Sequence, residues 1–167
     1  HCWIAMGRTE EGLQLLQGAA AGEIRDAHVR QQVMLSLIHG LALTGNYAEG
    51  RDRALRFVTE AYQHSPILYG RGLLWLGMAQ HALGETAAQQ TLQQALQHES
   101  DFGGRDLWIC YYAMGTTSDN SQHASENYAK AAEILRKRAE SLYTHPELQV
   151  TLLNNSFVQS VFISSQV

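Results

Sequence analysis

Apolar residues recur in a helical rhythm along most of this chain, and the clearest instance spans residues 26–64. Val29, Val33, Leu37 and Leu41 follow one another every four residues. A break at Leu43-Thr44-Gly45-Asn46-Tyr47 leads into Ala54, Leu55, Val58, Ala61 and Tyr62. Intervals of three and four place each set on one face of a 3.6-residue helix, so the segment predicts two amphipathic helices joined as a hairpin. Gly45 suits the left-handed conformation that ends a helix, and Asn46 followed by Glu49 predicts a capping box opening the next.

The same punctuation returns elsewhere. Ala5-Met6-Gly7, Ala42-Leu43-Thr44-Gly45, Ala82-Leu83-Gly84 and Ala113-Met114-Gly115 each close an apolar run ahead of a polar residue. The glycines at 7, 45, 84 and 115 are spaced by 38, 39 and 31 residues. Helix pairs repeating every 30–45 residues or so mark a stacked array, in which each pair buries its apolar stripe only against its neighbours. The whole chain, 1–167, then reads as one repeat domain. It has a half-repeat over 1–22, repeats over 26–64, 65–100 and 104–143, and a capping helix with a tail over 144–167.

Within that frame, Glu10 to Ala20 predicts a helix carrying Leu13, Leu15 and Leu16, ended by Gly22. Ser65-Pro66 predicts an N-cap with proline in the first turn. The helix that follows carries Leu73, Leu76, Ala79 and Leu83, and its partner carries Leu92, Ala95 and Leu96. Gly77 inside this helix costs about 1 kcal/mol relative to alanine, which predicts a close helix crossing there. After a loop at Asp101-Phe102-Gly103-Gly104 comes an aromatic run with Trp108, Tyr111 and Tyr112. The most regular stripe is Ala124, Tyr128, Ala131, Ala132, Leu135, Ala139 and Leu142. Arg136, Lys137 and Arg138 lie near the negative end of that helix. Thr144-His145-Pro146-Glu147 opens a short last helix with Leu148, Leu152 and Leu153. The tail, with Phe157, Val158, Val161 and Phe162, fits either a cap on the last hairpin or a strand.

Gly45-Asn46-Tyr47-Ala48-Glu49 resembles the turn of tetratricopeptide (TPR) repeats, with Gly50 where that family usually has alanine. Leu76-Gly77, seven residues before Gly84, is similar to the same family pattern. The spacings of 38 and 39 exceed the family's 34, and the proline that ends most of its repeats is absent. Ala139-Glu140-Ser141-Leu142, then His145-Pro146-Glu147-Leu148-Gln149 and Leu152-Leu153, resembles the close of repeat regions in large multidomain signalling ATPases. These are transcription activators of the maltose-regulon type and relatives with cyclase or kinase domains. The resemblance implies an all-α, right-handed α-solenoid of TPR-like hairpins. It further implies a protein–protein interaction or regulatory scaffold module in a signalling or transcription-regulatory protein. A second expectation is a sensor whose groove takes a small-molecule inducer.

Composition narrows the partners. A net charge of −4 argues against direct nucleic-acid binding. No run of about 18 apolar residues predicts a membrane span, and no signal peptide opens the chain, so a cytoplasmic setting is expected. The chain begins without Met, inside what reads as a helix end, and is expected to be a segment of a longer protein. Its open N-terminal face, with Trp3, Ile4 and Leu16, is expected to support weak self-association. Cys2 and Cys110 are the only cysteines; far apart and without CxxC spacing, they read as free thiols. Asn154-Asn155-Ser156 matches a glycosylation triplet that, without a secretory signal, reads as chance.

Catalytic signatures are missing. There is no GxxxxGK[ST], no HExxH and no GxSxG, and Gly70-Arg71-Gly72 lacks the third glycine of a dinucleotide fingerprint. Neither an enzyme nor a cofactor is expected. No two of the eight histidines are four residues apart on one helix, so no metal site is expected. His64 and His98 end helices, where the dipole favours a histidine. What remains is a groove. In tetratricopeptide stacks the first helices of the repeats line the concave face. Counting back from the glycines puts Gln32, His39, Arg71, His81, Arg105 and Tyr112 at inward positions. That set is polar to basic in an acidic chain, so the expected partner is an acidic protein or peptide, or a carboxylate ligand.

Overall fold

The computed structural model describes residues 8–102 and 106–166, and every regular element among them is helical. The chain divides into two compact units, His1–Asp101 and Phe102–Val167. The division falls close to where the third full repeat is expected to begin. Trp3, Ile4, Gly7, Cys2 and Arg105 lie outside the described residues.

The first unit holds α1 (Thr9–Ala21), α2 (Ala27–Leu43), α3 (Tyr47–His64), α4 (Pro66–Ala82) and α5 (Ala88–Leu96). Each packs on the next, and α4 also meets α2. The sequence of α4 explains its place. Leu73, Leu74, Trp75 and Leu76 are consecutive and all buried, and four successive residues cover every side of a helix, so α4 has to be central. A single stripe of Leu73, Leu76, Ala79 and Leu83 understates this burial, and Leu83 itself is exposed at the helix end.

The two turns after α2 and α4 are built alike. Gly45 and Gly84 are the described residues with positive φ, at 76° and 72°. Gly45 N donates to Ala42 O at 3.3 Å and Asn46 N to Leu41 O at 2.9 Å. Gly84 N donates to His81 O and Glu85 N to Gln80 O, both at 2.9 Å. This pair of bonds satisfies carbonyls the helix end leaves open, and it needs a left-handed residue between them. The capping box does not form. Asn46 makes no cap bond; its Nδ2 donates to Thr44 Oγ1 at 2.8 Å, while Glu49 accepts from Arg53 Nε at 2.8 Å. Ser65 likewise makes no side-chain cap bond. Asp26 does cap α2, accepting from Val29 N at 2.9 Å.

Burial in the hairpin departs from the simple stripe. Val29 is 47% exposed, and α2 buries Leu35, Leu37, Ile38 and Leu41, because it meets α1, α3 and α4 rather than one partner. In α3, Ala54, Val58 and Ala61 are buried together with Phe57, whereas Leu55 and Tyr62 face outward. Gly77 is a close crossing: a Cβ there would stand 2.7 Å from Leu92 Cγ of α5.

The second unit holds α6 (Leu107–Thr116), α7 (Ser121–Ser141), α8 (Pro146–Leu153) and α9 (Ser156–Ser164). α6 and α7 form a hairpin, and α7 carries the expected stripe, with Ala131, Ala132, Leu135 and Ala139 buried. The glycine before its turn works differently from those of the first unit. Gly115 lies inside α6, where a Cβ would run into the Tyr128 ring. It is a contact glycine, not a turn glycine. The tail is a helix and not a strand. Asn155 caps it, accepting from Phe157 N at 3.0 Å and Val158 N at 3.3 Å, and Val158 and Val161 are buried. α8 is held by Gln149 Nε2, which donates to Ala139 O at 3.0 Å, and it contains no buried residue.

Candidate functional site

Gln32 and His39 are seven residues apart on α2 and so share a face. Arg71 and Trp75 are four apart on α4 and share another. The two helices touch, and the contact includes the His39 imidazole lying flat on the Trp75 indole. Ring centroids are 3.9 Å apart and the planes differ by 19°. Trp75 is 2% exposed. Gln32, His39 and Arg71 are each half-buried, and of the three it is His39 that lies over this apolar floor. His39 is therefore partly occupied in covering an indole, a role the spacing argument did not give it.

Of the other groove candidates, His81 is exposed in the last turn of α4. It lies ten residues after Arg71, which turns it about 80° off the Arg71 face. Tyr112 belongs to the second unit. Its ring sits 5.6 Å from Tyr128 and 5.3 Å from Phe157, and Trp108 lies 5.1 Å from the same Phe157. Burial, with Tyr112 adding to it, pushes the Tyr128 phenol above its ordinary value. This aromatic group packs the α6–α7 hairpin onto α9. Lys130 Nζ lies 5.3 Å from the centre of the Tyr111 ring. Arg105 lies outside the described residues, so the structure places four of the six candidates, Gln32, His39, Arg71 and His81, in the first unit.

Two features were not anticipated. Trp75 is the floor of the α2–α4 face, and its position four residues after Arg71 was the available signal. The second is a row of rings at the other end of the same unit. Tyr62 meets Tyr69 at 5.3 Å and Tyr69 meets His98 at 5.0 Å, both edge to face. His98 is held there because Gly70 allows close approach: a Cβ at 70 would stand 2.7 Å from His98 Cβ. A packing role thus joins the dipole as a reason for a histidine at the end of α5.

Charge around the turns is paired. Arg51 of α3 bonds Glu85 Oε1, beyond the α4 turn, at 2.6 Å and Asp52 Oδ1 at 2.7 Å. Hydrogen bonds to Glu85 and then Asp52 push its guanidinium further above its ordinary value. Among the described residues no group of three His, Cys, Asp or Glu side chains is placed to hold a metal ion. Among the same residues no helix is long and apolar enough to cross a membrane. Cys110 is buried. No family model, curated protein or solved structure matches this chain.

Proposed function

We propose that the chain is a TPR-like helical-repeat interaction module whose α2–α4 face holds an acidic segment of a protein partner. One observation carries the reading: α2 and α4 meet side by side, with His39 stacked on the buried indole of Trp75 and with Gln32 and Arg71 half-buried on the same two helices. A guanidinium on such a face binds a carboxylate through two parallel hydrogen bonds, and the apolar floor excludes water from the pair. The reading carries with it the right-handed solenoid and a regulatory or scaffolding role in a larger signalling protein.

The test is binding of a fluorescein-labelled polyglutamate peptide, followed by anisotropy. Binding is expected to saturate at low ionic strength and to weaken as salt screens the charges over about 8–10 Å. Arg71→Ala is expected to reduce affinity at least tenfold, and Arg71→Lys, which keeps the charge but loses the fork, to give an intermediate value. Circular dichroism should show both variants as helical as the parent. Equal affinity for the parent and a folded Arg71→Ala protein would overturn the assignment of this face.

A further inference from the structure

We draw no further inference here: the strongest candidate, the exposed surface of α8, where Leu148 and Val150 stand half exposed on a helix that buries none of its residues, is an unpartnered apolar surface, and nothing in the structure shows what covers it.

Discussion

Gly77→Ala is the substitution that best separates local helix preference from tertiary packing. Gly77 sits inside α4, where alanine would ordinarily gain about 0.5–1 kcal/mol. The added methyl, however, would stand 2.7 Å from Leu92 Cγ, 2.8 Å from Leu92 Cδ2 and 3.3 Å from the Ala88 carbonyl oxygen. Carbon atoms pack best at about 3.5–4.0 Å, so the overlap approaches ~1 Å. Leu92 is 0% exposed and has no solvent to swing into, and the Ala88 oxygen is backbone. Overpacking of this kind costs about 1–3 kcal/mol and offsets the propensity gain, leaving a net loss of up to about 2.5 kcal/mol. Gly18→Ala is the matched control, because Gly18 is also inside a helix but meets nothing within 4 Å; it should stabilise by up to about 1 kcal/mol. Leu92→Ala alone should cost about 2–5 kcal/mol. In the double variant the new methyl takes up part of the vacated space, so the two losses should fall short of additive by about 1 kcal/mol or more. Urea unfolding followed by far-ultraviolet circular dichroism measures all four. The close crossing would be refuted if Gly77→Ala stabilised as Gly18→Ala does, or if the double variant were additive within about 0.5 kcal/mol.

Leu135→Ala removes a side chain that is 0% exposed on α7 and should cost about 2–5 kcal/mol, whereas Leu148→Ala on exposed α8 should change stability by less than about 0.5 kcal/mol in the same urea assay. Gly84→Ala forces a methyl into the left-handed region and should destabilise by about 1–2 kcal/mol although the space around it is open; an unchanged unfolding midpoint would contradict the turn geometry. The Glu133–Lys137 pair at 2.6 Å lowers the Glu133 pKa, through the hydrogen bond from Lys137 and then its charge. Its small contribution should therefore be present above the ordinary glutamate pKa and vanish as pH falls through the lowered value. Carboxyl-carbon NMR titration should show the Glu133 midpoint rising on Lys137→Gln.

The all-α character of the described chain was legible in the sequence because a helix needs only local information. Intervals of three and four, two prolines and glycines after apolar runs suffice, and the turns at Gly45 and Gly84 follow from glycine's freedom at positive φ. The stripe of α7 was equally readable, since Ala131, Ala132, Leu135 and Ala139 form one buried face in a helix otherwise polar. Periodicity, however, finds one face, whereas α2, α3 and α4 each meet two or three neighbours. That is why Val29, Leu55 and Tyr62 came out exposed while Leu35, Phe57, Leu74 and Trp75 went inside. Glycine is ambiguous for a related reason. The residue that frees a turn at Gly84 also clears room for Tyr128 at Gly115, and only the neighbouring helix tells the two apart. The candidate site shows the same limit. Counting placed Gln32, His39 and Arg71 on inward faces, but the stacking of His39 on Trp75 brings together side chains 36 positions apart in the chain. Contacts of that range depend on how α2 and α4 are brought side by side, so tertiary packing alone decided what the face is made of.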